Sequence, residues 1–330
     1  LATTFAHPLA AGEARVRGRV DRLSLQHRLH YPQPVRSTGT LRPLARPLNH
    51  RLTHQWSRLH LTPPDGPRVR LGPGELDSQG APGAYRLVLD AETSQIPGLP
   101  PVRPRLQATG DGSGLKINEL RLASASGTLR ARGALDWAGV LNWALSLEGE
   151  SINPAWLHAQ APGDLDFSGQ MDGRLPPDAP LELELDLTRV EGRLRDESLS
   201  GSASLSLRGI DGARIHALEL DTPHGRLHTR GRVDWAPRLA WDLALDGDEL
   251  DPALLWPEWP GKLDLEAAFA GALPADGAPE LDLDLHHLDG DLRQRPVTGS
   301  GELHARGTRS IRGDLRLSLA GNTLEASGQR

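Results

Sequence analysis

The amino-acid sequence repeats itself at a fixed spacing of 98 residues, and that spacing restricts its possible folds more than any other feature. Ile117 recurs as Ile215, Gly127 as Gly225, Gly133 as Gly231, Asp136-Trp137 as Asp234-Trp235 and Trp143 as Trp241. The register continues without insertion through Gly149/Gly247, Pro154/Pro252, Gly163/Gly261, Gly192/Gly290 and Gly209/Gly307. A further copy begins at the end of the chain, where Thr323–Gly328 echoes Thr128–Gly133. A divergent copy precedes them, where Arg17–Asp21 matches Arg230–Asp234. Repeats of this length belong to arrays whose units bury apolar surface against their neighbours rather than in a private core. The expected organisation is one array: a divergent, partly irregular β repeat over 1–113, β repeats over 114–209 and 210–307, and the start of another at 308–330. The chain begins at Leu1-Ala2 without Met and stops in mid-repeat, so both ends read as cuts.

Within the repeats the local pattern is strict alternation. Leu181-Glu182-Leu183-Glu184-Leu185-Asp186-Leu187 sets leucines on one face and carboxylates on the other, and Leu281-Asp282-Leu283-Asp284-Leu285 repeats it. Period two is the signature of a strand with one apolar and one wet face; a helix would spread these leucines around its circumference. Glycine, proline and Asp-Gly signals punctuate the runs, predicting seven or eight strands of roughly 6–9 residues per repeat. One exception recurs, Asn153-Pro154 and Asp251-Pro252, an N-cap followed by Pro at the first helical position, which predicts a single helical turn. The expected fold class is therefore all-β, a long curled sheet.

Leucine far outnumbers Val, Ile and Phe, and with three Phe and two Tyr there are few large wedges for a thick two-sheet core. The pattern predicts an open apolar groove lined by Leu145, Leu147, Leu183, Leu185, Leu187, Leu205, Leu207, Leu243, Leu245, Leu281, Leu283, Leu285, Leu315 and Leu317, with Glu182, Glu184 and Asp282 facing solvent.

The absence of cysteine excludes disulfides, a thiolate nucleophile and Cys-based zinc sites. Net charge is −6, but residues 1–70 hold twelve Arg against Glu13, Asp21 and Asp65, together with six of the thirteen His. Without interleaved aromatics this basic stretch reads as a solvated, irregular face, not a nucleic-acid site. No run approaches the ~18 apolar residues of a membrane span.

Chemistry is sparse. Gly110-Asp111-Gly112-Ser113-Gly114 lacks the spacing of a dinucleotide loop and reads as a turn. His286-His287 ends a predicted strand, so its two rings are expected on opposite faces, unable to share a metal; His216, His224 and His228 are too dispersed. The acidic rows lack the convergent loop oxygens of a calcium site. Ser198, Ser200, Ser202, Ser204 and Ser206 alternate along a strand without a nucleophile elbow. No catalytic, cofactor or metal site is expected. Trp137/Trp235 and Trp143/Trp241 are fixed by the repeat and read as packing residues, as do Trp256 and Trp259.

The phrases from Gly192-Arg193-Leu194-Arg195-Asp196-Glu197-Ser198-Leu199-Ser200-Gly201 to Leu207-Arg208-Gly209 resemble the repeats of the TamB family of translocation and assembly module subunits, within the AsmA-like superfamily of bridge-like lipid-transfer proteins. Gly133-Ala134-Leu135-Asp136-Trp137, Leu254–Gly261 and Gly98–Arg103 fit the same family. The resemblance covers about 84–330 well and 1–83 weakly. It implies a curled, taco-like sheet in a protein anchored in the inner membrane that crosses the periplasm towards an Omp85-type outer-membrane partner. The implied cargo is phospholipid, held by its acyl chains. The irregular, Pro- and Arg-rich 1–70 departs from the repeat, so its fold is not implied.

Two further readings compete with a non-enzymatic lipid conduit. A chaperone-like scaffold would offer sheet edges to outer-membrane β-barrel proteins or autotransporters. A β-solenoid adhesin or polysaccharide enzyme would need exposed aromatics and a carboxylate pair, and the short-period ladders of such folds are missing.

Overall fold

The computed structural model describes residues 2–7, 10–61, 69–95, 100–156, 159, 161–195, 197–254, 258–273, 278–307, 310–319 and 322–329. The chain divides into two units, Leu1–Gln160 and Ala161–Arg330. The first contains β1 (Ala2–His7), β2 (Ala10–Arg19), β3 (Arg22–Tyr31), β4 (Val35–Arg42), β5 (Asn49–Trp56), β6 (Leu59–Leu61), β7 (Val69–Leu71), β8 (Gly74–Ala81), β9 (Ala84–Ala91), β10 (Arg103–Gly110), β11 (Gly114–Ser124), β12 (Gly127–Asp136) and β13 (Leu141–Ile152). The short β6–β7 hairpin stands apart. The other strands pair antiparallel in chain order, with β8 following β5 across the hairpin.

The second unit contains β14 (Gly163–Leu175), β15 (Glu182–Leu194), β16 (Glu197–Arg208), β17 (Gly212–Thr222), β18 (Gly225–Asp234), β19 (Leu239–Leu250), β20 (Gly261–Leu273), β21 (Glu280–Leu292), β22 (Arg295–Arg306), β23 (Ser310–Leu319) and β24 (Asn322–Gln329). Each pairs antiparallel with the next. No described pairing closes either ladder into a barrel, and substantial contacts between strands are confined to hydrogen-bonded neighbours. The all-β expectation holds as an open antiparallel sheet in each unit.

Accessible area shows how little is layered. The chain exposes 20891 Å², whereas two compact bodies of half its mass would together expose about 16,000 Å². Fully buried apolar side chains are few, and most are small, such as Ala91, Ala108 and Ala131.

Two expectations need correction. Each repeat supplies six strands rather than seven or eight, β11–β16 and then β17–β22, most of them 10–13 residues long. The basic stretch is not irregular throughout: β2–β5 are ordinary strands of the first unit's sheet, separated by turns and bends such as residues 43–47. Both differences come from features that break strict alternation without ending a strand.

The main such feature is the β-bulge. Bulges fall between Ile117/Leu120 and Ile215/Leu218, between Ser168/Gly169 and Glu266/Ala267, and between Leu187/Val190 and Leu285/Leu288, each pair 98 residues apart. An extra residue bends the strand and moves the following side chains by one step of the pleat. Apolar residues therefore occupy odd positions up to Leu187 and even positions from Val190 to Leu194, yet stay on one face. His286-His287 lies on such a bulge in mid-strand, and both rings are exposed, so the expectation of opposite faces at a strand end is overturned.

Glycine supplies the other repeated device. Gly133 and Gly231 have φ of 152° and 145°, and a Cβ there would stand 2.0 Å from the carbonyl oxygens of Ala144 and Asp242 on the paired strand. No other residue fits such a backbone and approach. The predicted helical turns are present as 3₁₀ turns over Pro154–Trp156 and Pro252–Leu254, capped by Asn153 and Asp251 carbonyl-type oxygens accepting from the Ala155 and Ala253 amides at 3.0 and 2.9 Å.

Candidate functional site: an uncovered leucine face

In the second unit, the register places the leucine positions in rows across the sheet. Leu183 pairs with Leu207, and Leu185 with Leu205, which in turn meets Ile215. Leu187 lies opposite Gly169 and Ala203. Leu243 lies between Gly231 and Phe269, and Leu245 between Thr229 and Ala267. Leu281, Leu283 and Leu285 meet Gly271, Phe269 and Ala267 on one side and Ala305, Leu303 and Gly301 on the other. Leu317 lies over Gly299, while Leu315 pairs with Gly301 and has a side chain outside the described residues. In the first unit, Leu145 and Leu147 pair with Gly133 and Ala131.

These leucines are mostly half-buried. Among those whose side chains are described, only Leu147 and Leu285 fall to 9% and 7% exposure. Neighbours on the same face cover their flanks, and within each unit no described strand packs over their tips, which distinguishes this arrangement from the core of a sandwich. Trp241 lies on the same face, its ring over Gly271 and 6.4 Å from Phe269. Among the described residues, two buried side-chain polar atoms lack a partner, the Trp241 indole nitrogen and the Thr229 hydroxyl. Thr229 occupies the position that Ala131 holds one repeat earlier.

The opposite face is charged and wet. Glu184 and Asp282 are exposed as expected, while Glu182 is partly covered, in register with Arg208. Arg226 pairs with Asp248 at 3.0 Å, His304 with Asp282 at 2.7 Å, and Arg130 with Glu150. The Glu150 hydrogen bond holds the Arg130 guanidinium pKa above its ordinary value. Exposed pairs of this kind add little stability, but they keep the face solvated. A cleft of about 720 Å³ on this side is lined by Arg208, Arg214, Arg232 and Arg238 together with Asp211 and Asp234.

The remaining residues singled out from sequence have structural roles. Trp137 and Trp235 donate from the indole to the carbonyls of Gly112 and Ile210 at 3.2 and 2.7 Å, stapling the preceding turn once per repeat. Asp111 accepts from the Ser113 hydroxyl and from the Ser113 and Gly114 amides, which holds its carboxyl below the usual range and identifies Gly110–Gly114 as a turn. Trp259 is exposed with the Arg293 guanidinium 4.4 Å from its ring centre, and Trp256 lies outside the described residues. His216 meets Ser206, His224 stands 3.4 Å from Glu197 and His228 3.9 Å from Glu219. No group of three possible metal ligands converges among the described residues.

The first unit shows the same sidedness with an interruption that sequence reading missed. His27, Ser37 and His54 form one row across β3, β4 and β5, and His50 and Ser78 lie close by on the same face. The signal was present in Leu23-x-Leu25-x-His27-x-Leu29 and His50-x-Leu52-x-His54-x-Trp56, where histidine takes the apolar phase of the alternation.

The family model for the TamB N-terminal domain matches the chain twice, over residues 10–213 and 209–330. No curated protein and no solved structure matches. The double match, the repeat that underlies it and the one-sided sheets lead to the same conclusion: the chain belongs to the TamB family.

Proposed function

We propose that this chain is a stretch of a periplasm-spanning conduit that carries phospholipid between the inner and outer membranes, in a protein anchored in the inner membrane and engaging an Omp85-type outer-membrane partner. The TamB family supports a non-enzymatic role in transport and assembly at the level of the family. The observation that carries the finer reading is the leucine face: through the second unit it runs from strand to strand in register, with no layer over it. Each methylene sheltered there is worth about 0.8 kcal/mol, enough for acyl chains to be held without any specific contact. A uniform row of leucines also gives a lipid nearly equal energy at successive positions, so it can slide. No described helix is long and apolar enough to cross a membrane.

Photo-crosslinkers at Leu185 and Glu184, neighbours on opposite faces, test this reading. Capture of phospholipid at Leu185 and not at Glu184 is the expected outcome. Equal capture at both, or capture of unfolded β-barrel polypeptide in place of lipid, would replace the conduit with a non-specific surface or with the chaperone-like scaffold.

A further inference from the structure

The polar interruption on the apolar face of the first unit has the composition of an anion site. Ser37, 5% exposed, contacts His54 Nδ1 through its hydroxyl at 2.8 Å, and Ser78 contacts His50 Nε2 at 2.6 Å. Each serine engages one nitrogen of its histidine ring. His27 stands opposite Ser37 in the register, so His27 and His54 flank that serine, while His50 lies further along β5 beyond Leu52. Leucines frame the patch: Leu25 and Leu29 on β3, Leu52 on β5 and Leu76, directly paired with His54, on β8.

The surroundings favour a negative ligand. On this face β2 presents Ala14 and Val16, β4 presents Ser37 and Gly39, β8 presents Leu76 and Ser78, and β9 presents Leu87, Leu89 and Tyr85; none of these carries a carboxylate. The nearest acid, Asp77, belongs to the other face, where it accepts from Thr53 at 2.5 Å. Arg28, Arg36 and Arg51 occupy the opposite face of the same strands, within a segment of strongly positive balance. Burial holds the His54 pKa below its ordinary value, and His50 and His27 add repulsion in the same direction. An anion set between His27 and His54, over Ser37, would offset that repulsion.

We propose that His27 and His54, on either side of Ser37, form a docking station for the phosphate of an anionic amphiphile whose chains lie along the flanking leucines. The proposal rests on the phospholipid reading above. Binding takes up a proton, because the imidazolium form is the one that pairs with phosphate. The station selects where a headgroup pauses and makes that pause sensitive to pH.

The test uses the whole chain with dihexanoyl phosphatidylglycerol, and inorganic phosphate as a second probe, by isothermal titration. Affinity for the lipid should rise by up to about tenfold as pH falls from about 7.5 to 6.5, the limit set by one proton taken up per ligand. The His27→Gln/His54→Gln variant should bind the lipid several-fold more weakly at about pH 6.5 and lose this dependence. Equal pH profiles for the two proteins would overturn the station while leaving the conduit intact. Phosphate alone binding as tightly as the lipid would overturn the lipid as ligand, and no lipid binding at any pH would overturn both readings. If the double variant fails to fold, the His54 ring titration of the unaltered protein decides: added lipid should move it to higher pH, and an unmoved titration defeats the proposal.

Discussion

At the scale of single residues, adjacent positions have opposite environments and should respond oppositely. Leu185→Asp puts a carboxylate among Leu205, Leu183 and their neighbours, where desolvation costs a few kcal/mol and an acyl chain offers no partner. Glu184→Gln on the wet side should change stability by less than about 0.5 kcal/mol. A lipid-transfer assay on folded protein should lose most of its rate with the first and little with the second; normal transfer with Leu185→Asp would contradict the conduit. His54 makes a separate prediction. Its folded pKa is lowered, so the unfolded chain binds more protons around pH 6, and stability should fall as pH drops below about 6.5. Thermal melts from pH 8 to 5 should show the decline, and His54→Gln should reduce it. Such reasoning worked from sequence where leucine and acid alternate. It failed at His27, His50 and His54, because polar side chains in the apolar phase make β3 and β5 look like loop.

At the scale of elements, the repeated bulges decide which changes a strand tolerates. His286 is the extra residue of β21 relative to β20, and with His287 it stands against the single Ser300 of β22, so deleting it removes the bulge and leaves Leu281, Leu283, Leu285 and Leu288 on their face. Deleting Asp284 instead turns Leu285 to water and His286 onto the apolar side, a slip of the pleat that should cost about 2–3 kcal/mol. Urea denaturation of the two variants should show a near-native midpoint for the first and a clear loss for the second. Gly231→Ala should likewise lose about 1–3 kcal/mol, since its φ and the Asp242 carbonyl leave no room for a methyl group. The strand class was legible because hydrophobic period reports the pleat directly. Strand number and length were not, because Leu-x-x-Leu inside an alternating run was read as an ending when it marks a bulge.

At the scale of the whole molecule, the 98-residue period makes a large excision testable. Removing residues 212–309 takes out β17–β22 and brings Ser310 to the position of Gly212, so β23 meets β16 in the register that β17 held: Leu205 opposite Gly313 in place of Ile215. The shortened chain should keep its strand signal per residue in far-ultraviolet circular dichroism and still crosslink lipid at Leu185. Loss of strand signal would mean that the repeats depend on more than their neighbours. The excised piece holds six strands, and an even number matters. An antiparallel stack that gains or loses an even number of strands returns the chain to the same end of the sheet, travelling in the same direction, with the same face dry. Gene duplication in units of 98 codons can therefore lengthen such a stack by about 29 Å at a time without inventing a new junction, so the reach of a protein of this kind can be adjusted by copy number, to suit the width of the compartment it has to cross.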